Sequence, residues 1–449
     1  METNLKGGLS RIQANFAEFF GLSRPIALIT IGLLSLVTIF AVFWFSHSAP
    51  PDTITITSGP EGSIFRANAE KYGKILARNG VKLKILPSEG SQENLKRLAD
   101  PSFRVDIGFV QGGVVGELNI DKLVSLGSVS YEPLLIFYRS AEPFELLSQM
   151  KGKRLAIGPK GSGTQTLALA LLKANGIEPG GATVLEDMHA EDATKALIEG
   201  KVDAVFLMGD SASIQIIRTL LRTEGVRLFD FTQADGYTRR IGYLNKLVLP
   251  RGSIDFGENI PAQDVHLISP TVDLIARENL NPAMSDLLLE TATEVHGRAG
   301  LFKTLGQFPT PLEHEFRISA DASRFYKSGK TFLYRYLPFW MASLVTRILV
   351  VFIPMFLVLI PGLRSIPAVY RWRMRMRIYR WYRLLLAVEE DMRVQSAPEK
   401  QEGLIEQLHH IERQVNKMKV PASFAESFYV LRGHITFVRS QLMDSIKSH

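Results

Sequence analysis

The chain has 449 residues, a formal net charge of +7 and 46% hydrophobic residues, which is apolar side chain enough for several globular cores and for membrane segments besides. Cysteine is absent, which excludes a disulfide framework, thiolate metal sites and a cysteine nucleophile. The basic excess is local: Arg371 to Arg383 (RWRMRMRIYRWYR) lies beside an apolar segment, a pattern that suits the cytoplasmic surface of a membrane better than nucleic acid, which calls for basic residues spread over a soluble face.

Taken in order, residues 1–25 read as a cytoplasmic N-terminus carrying Lys6, Arg11 and Arg24. Residues 26–45 have no charge and the length to span a bilayer. A cleaved signal peptide is the alternative, but the apolar core is long for one and Ser46-His-Ser-Ala49 is a poor small-x-small site, so an uncleaved anchor is favoured. Pro50-Pro51 is a stiff linker into a globular domain at 52–319.

Within that domain one grammar recurs. Thr53–Thr57 alternates like a strand and turns through Ser58-Gly-Pro-Glu-Gly-Ser63 into a helix at Ile64–Arg78. Val81–Leu86 is a strand, followed by Ser88-Glu-Gly-Ser-Gln92 and a helix at Glu93–Ala99. Val105–Val110 runs into Gln111-Gly-Gly113, and Ala204–Leu207 into Met208-Gly-Asp-Ser211. The central stretch, Arg154 to Leu172, reads as strand, glycine loop (Gly158–Gly163) and helix. A glycine loop at a helix N-terminus offers backbone N–H groups and the positive end of the helix dipole to an anion, although many such turns carry glycine for steric reasons alone. It is not a phosphate-binding Walker loop, since Gly163 is followed by Thr164 with no lysine.

Strands alternating with helices predict an α/β fold with a mostly parallel sheet, and ligands in such folds bind outside the carboxyl ends of the strands. Glu132–Arg139 reads as a crossover strand and Tyr243–Leu249 as the strand that returns, with further helix over Thr271–Gly297. That gives two lobes, one at about 52–139 and 241–319 and the other at about 140–240, joined by a hinge. Leu167, Leu171 and Ile198 are expected in the core.

Residues 339–360 are a second spanning candidate and contain Arg347 and Pro354. Arg347 either snorkels along a kinked helix or contacts another membrane subunit. Two spans place both termini in the cytoplasm of a bacterial inner membrane and the α/β domain on the outer, periplasmic side. In the basic tail, 361–449, Leu404, Leu408, Ile411, Val415 and Met418 form one helical stripe and Phe428, Leu431, Ile435, Val438 and Leu442 another, with Pro421 between them. This predicts a helical hairpin or coiled coil, either a self-packed stub or a docking element.

No His-Glu-x-x-His, calcium loop or Gly-x-Ser-x-Gly elbow occurs, and His189 and His266 have no evident partner. No catalytic residue, metal site or cofactor is therefore expected.

The ordered set Ile54-Thr-Ile-Thr-Ser-Gly59…Gly62-Ser63, Ser88…Gly90-Ser-Gln-Glu-Asn-Leu95, Asp106-Ile-Gly-Phe-Val-Gln111, Lys151–Thr164 and Glu199–Val205 resembles the TAXI family of TRAP-transporter solute receptors over roughly Asp52 to Arg317. The segment Phe325 to Tyr382 looks like the membrane-anchored variety. The resemblance implies a type II periplasmic-binding-protein fold that captures a small organic or amino acid solute, often glutamate-like or a dicarboxylate, for an ion-coupled permease. The chain departs from the family's first loop by Glu61 and by Phe65 in place of a tyrosine, and from its third by Gly112-Gly113.

On this reading Ser63, Gln92, Gln111, Ser162, Gly163 and Thr164 line an interlobe cleft. Amides at Gly62-Ser63 and Gly163-Thr164 hold a carboxylate, Gln92 and Gln111 orient the solute, and Asp210-Ser211 contribute from the second lobe. Serine and threonine at these places also fit as helix caps. The expected partners are the solute, membrane permease subunits and the lipid bilayer, with no nucleic acid. A sensor signalling through the tail helices and an envelope scaffold with a vestigial cleft are the alternatives.

Overall fold

The computed structural model describes residues 24–47, 49–329, 332–394, 398–418, 420 and 424–447. Nearly all of the expected N-terminal segment 1–25 lies outside these described residues, as does Pro421. The chain divides into two compact units, one of Ala49–Thr346 and one of Met1–Ser48 with Arg347–His449.

The first described element, helix α1 (Arg24–His47), belongs to the second unit. The globular unit then begins with β1 (Thr53–Thr57), α2 (Ile64–Arg78), β2 (Lys82–Leu86), α3 (Ser91–Ala99), β3 (Ile107–Gln111) and β4 (Leu123–Tyr131). It continues through β5 (Leu135–Tyr138), β6 (Arg154–Ala156), α4 (Gly163–Ala174), β7 (Val184–Glu186), α5 (Ala190–Ile198), β8 (Ala204–Leu207), α6 (Ile214–Arg222) and β9 (Arg227–Leu228). After α7 (Ala234–Arg240) come β10 (Leu244–Leu249), the long β11 (Val265–Arg277), α8 (Pro282–His296), α9 (Ala320–Ser328) and α10 (Phe332–Tyr336).

Two sheets result, built on one plan. In the first lobe β1 pairs in parallel with β2 and β3, and the carboxyl half of β11 lies antiparallel between β3 and β4. In the second, β6 pairs in parallel with β7 and β8, while β5 lies antiparallel between β8 and β9. The expected mostly parallel sheet is thus a mixed one, with three parallel strands per lobe and antiparallel strands beside them. Each lobe buries apolar side chains on both sheet faces: Ile54, Phe65, Tyr72 and Leu287 on one side of the first and Leu95, Val110 and Phe316 on the other.

The crossing strands differ from expectation. Leu244 of β10 packs in one second-lobe core, and Leu247 and Leu249 in the other, so β10 stays with that lobe. The return is made by β11, whose Leu267 and Ile268 sit in second-lobe cores and whose Val272, Leu274 and Ile275 sit in first-lobe cores. Thr271–Arg277 reads as helix in sequence because a strand buried on both faces loses its alternation of polar and apolar residues. The outward crossing, Tyr131 to Leu135, runs beside it: Glu132 N–H donates to the Pro270 carbonyl at 3.0 Å and Leu134 N–H to that of Ile268 at 3.0 Å. Two adjacent, hydrogen-bonded strands thus connect the lobes. Leu167 and Leu171 are buried as expected, whereas Ile198 is 40% exposed at the last turn of α5.

The next helix, α11 (Phe339–Val394), is 56 residues long, and from Arg347 onward it belongs to the second unit. Among the described residues its Phe339–Gly362 stretch is long and apolar enough to cross a membrane, with mean hydropathy 2.5. In α1 the apolar stretch that can be described is shorter, Ser35–Ser46. The Arg347 guanidinium lies 4.9 Å from the centre of the Phe45 ring, a cation–π contact within the unit. The tail adds α12 (Pro398–Asn416) and α13 (Ala425–Lys447). Both predicted stripes meet there, with Leu404, Leu408, Ile411 and Val415 against Leu431, Ile435, Val438 and Leu442. Met374, Ile378, Leu385 and Val388 of α11 complete that core, so the bundle has three helices rather than two.

Phe109 on β3 is 1% exposed, with ring centroids 5.5 Å from both Phe65 and Tyr72. Phe109→Ala is expected to cost about 3–5 kcal/mol of stability, read as a lowered chemical-denaturation midpoint of the globular unit.

Candidate functional site

The two lobes meet at the carboxyl ends of their parallel strands. Each first turn there has the same sequence form, Gly59-Pro-Glu-Gly-Ser63 in one lobe and Gly158-Pro-Lys-Gly-Ser162 in the other. Each final serine caps the helix that follows. The Ser63 hydroxyl donates to the Pro60 carbonyl at 2.8 Å and accepts from Arg66 N–H at 3.1 Å. The Ser162 hydroxyl donates to the Pro159 carbonyl at 2.7 Å and accepts from Gln165 N–H at 3.0 Å. These two serines therefore spend their hydrogen-bonding capacity locally, and Gly62 is exposed on the outside of its turn.

Between the turns lies Asp210, fully buried. Its Oδ2 accepts from Gly163 N–H at 2.5 Å and Ser91 N–H at 3.4 Å, and its Oδ1 from the Thr164 hydroxyl at 2.7 Å. Thr164 Oγ1 is also 3.0 Å from Ser211 Oγ. The Gly163 amide expected to hold a solute carboxylate thus holds the chain's own, with the Thr164 hydroxyl beside it, at the N-termini of α4 and α3, where N–H groups and helix dipoles favour an anion. Gly90 permits this approach: a Cβ there would fall on the Asp210 carboxylate, and its φ of +136° is open to glycine.

Further bonds close the seam. Gly209 C=O accepts from Ile64 N–H at 3.0 Å and Phe65 N–H at 3.3 Å, and Gly161 C=O from Glu93 N–H at 2.9 Å. Gln111 Nε2 donates to the Gly163 carbonyl at 3.0 Å, while its Oε1 is buried without a partner. Of the expected residues, Ser63, Gln111, Ser162, Gly163, Thr164, Asp210 and Ser211 therefore come together, and Gly62 and Gln92 do not. The half-buried Gln92 accepts from Lys96 Nζ at 3.5 Å along α3. The cause is that α3 starts at Ser91 rather than at Glu93, which rotates Gln92 away and brings Ser91 in, its hydroxyl accepting from Gln111 N–H at 3.2 Å.

Two other residues escaped the sequence reading. Asn94, fully buried, donates to the carbonyls of Ser58 at 2.5 Å and Phe109 at 2.9 Å, tying the first-lobe turns to one another. Glu132, in the hinge and 4% exposed, accepts from the backbone N–H groups of Gly209 and Asp210. Burial, and then the Asp210 charge, push its carboxyl up to about 8; burial raises Asp210 as well, against the hydrogen bonds it receives. Asn94 on an otherwise apolar helix face was a legible signal, and Glu132 before an apolar strand was a weaker one.

The departures from the resembled family have local causes. Phe65 is a core residue, not a cleft aromatic. Gly112-Gly113 makes room for Tyr243, since a Cβ on Gly113 would enter that ring. The two histidines do have carboxylate neighbours, His189 Nδ1 at 3.6 Å from Glu89 and His266 Nδ1 at 3.1 Å from Asp230. His296 is the buried one, packed edge-on to Tyr72 and held near 3 by burial.

A carboxyl whose folded value lies above its unfolded one takes up protons on folding, so its contribution to stability falls as pH rises between the two. For Glu132 the window runs from the ordinary 4.5 to about 8. The globular unit is expected to melt lower at pH 8 than at pH 5, with a slope approaching about 1.4 kcal/mol per pH unit for each such group. Glu132→Gln should flatten the profile, and an unchanged slope would reject the assignment.

The sequence model of the NMT1-like family matches residues 62–294, just over half of the chain. No curated protein matches it. Among solved structures it is similar to the periplasmic aliphatic sulphonate binding protein SsuA from Escherichia coli, at 18% identity over 55% of this chain and 73% of that one, with a TM-score of 0.36. It is also similar to an ancestral arginine-binding protein bound to arginine (14% identity, 54% and 92% covered, TM-score 0.35). A periplasmic binding protein of an ABC transporter from Brucella ovis, with glutathione bound, shares 14% identity over 53% of this chain and 65% of that one, with a TM-score of 0.34.

Proposed function

This chain belongs to the NMT1-like family, and from that premise we propose that it is a membrane-tethered extracytoplasmic solute receptor that closes on a small solute between its lobes. The observation that carries the reading is the seam itself: glycine turns from both lobes meet at the carboxyl ends of the parallel strands, over a hinge of two crossing strands. A ligand between hinged lobes stabilises the closed state by as much as it binds that state better than the open one. Ser91, Gln111, Thr164, Asp210 and Ser211 are the residues assigned to solute contact, with Ser63 and Ser162 holding the helix ends in place.

The resemblance to TAXI receptors supports delivery to a TRAP-type permease. Tethering replaces a diffusional search with a high effective concentration beside the partner. We assign α1 and Phe339–Gly362 as the two spans, with the globular unit outside and the exposed arginines from Arg371 to Arg383 at the anionic inner surface.

Two measurements test this. Since the chain has no native cysteine, single substitutions report sidedness directly: Lys151→Cys should label in intact cells with an impermeant maleimide, and Glu406→Cys only after permeabilisation. The reverse pattern would sink the topology. Pull-down from native membranes should recover a multi-span protein; a cytoplasmic signalling protein in its place would favour a sensor.

A further inference from the structure

We propose that the interlobe site recognises its solute through an amine, with Asp210 as the residue that receives the ammonium. The inference deepens the receptor reading above and rests on it. Its starting point is that the anion seat of the second lobe is already filled. Asp210 is held by Gly163 N–H and the Thr164 hydroxyl of its own lobe, so parting of the lobes breaks only its longer bond from Ser91 N–H. The carboxylate therefore stays on the α4 N-terminus in the open state as well.

What the seam has to spare is acceptors. Gln111 Oε1 is buried and receives no hydrogen bond, although its residue is 1% exposed. Asp210 and Glu132 are both buried carboxylates, and among the described residues no lysine, arginine or histidine pairs with either. A solute carboxylate entering there would face the Asp210 carboxylate and a buried Glu132 carboxyl that burial and Asp210 already hold toward its protonated form. An ammonium supplies N–H donors for Gln111 Oε1 and the Asp210 oxygens together, and brings the opposite charge that Asp210 lacks. A metal ion is the less suitable cation, because among the described residues no three His, Asp or Glu side chains gather as ligands. On the first lobe, opening frees the N–H groups of Ile64, Phe65 and Glu93 from second-lobe carbonyls. A second, anionic group on the solute is therefore accommodated, but on the opposite wall.

The experiment is a thermal-shift and calorimetric comparison on the full chain in lipid nanodiscs. One set of probes carries amines (putrescine, ethanolamine, L-lysine, L-glutamine), and the other is amine-free (acetate, succinate, glutarate). Stabilisation by at least one amine and by no amine-free acid is the expected result. Stabilisation by succinate or glutarate overturns the amine assignment and leaves the receptor reading standing. No shift with either set overturns both. For an amine that binds, Asp210→Asn should weaken affinity at least tenfold, since it keeps an oxygen for Gly163 N–H and loses the charge. If that variant does not fold, Gln111→Met removes the Oε1 acceptor and should weaken affinity severalfold. Unchanged affinity in a folded variant rejects the assignment.

Discussion

The globular unit turns on one buried carboxylate. Asp210 lies where two helix N-termini point at each other across the lobes, and it takes hydrogen bonds from both. Removing an ion from water is costly, and the cost is met here by directed N–H and O–H donors rather than by an opposite charge. That choice constrains everything nearby. Gly90 has no room for a side chain because the carboxylate fills the space, and Glu132 rises in pKa because the same charge adds to its burial.

Across that seam the lobes are connected through the two crossing strands. The connections Tyr131–Leu135 and Ser269–Thr271 are hydrogen-bonded to each other, so the lobes share one short two-stranded ribbon. The cross-lobe hydrogen bonds come from the backbone amides of Ile64, Phe65, Ser91 and Glu93 and from the Gln111 side-chain amide.

Much of the architecture was legible. The boundaries of β1, α2 and β8 follow from alternation, from a serine cap and from an apolar run before glycine, signals that depend on neighbours in sequence. Both stripes of the tail were readable for the same reason, since a 3.6-residue period survives whatever the partner helix is. The long β11 was not. Buried on both faces and paired with β10, β3 and β4, it is defined by contacts far along the chain, and its composition alone does not separate it from a helix.

The site shows the same division more sharply. The turns Gly59–Ser63 and Gly158–Ser162 share their glycines, proline and serine, and they fold alike, each capping a helix. Local sequence therefore predicted that both would present amides, and it gave no means of telling what each amide would meet. In the first lobe the partner is a main-chain carbonyl of Gly209; in the second it is the side chain one residue further on, Asp210. A single step along the chain thus turns one of two equivalent anion seats into an anionic wall. Two lobes of common plan thus offer unlike surfaces to one another across the seam.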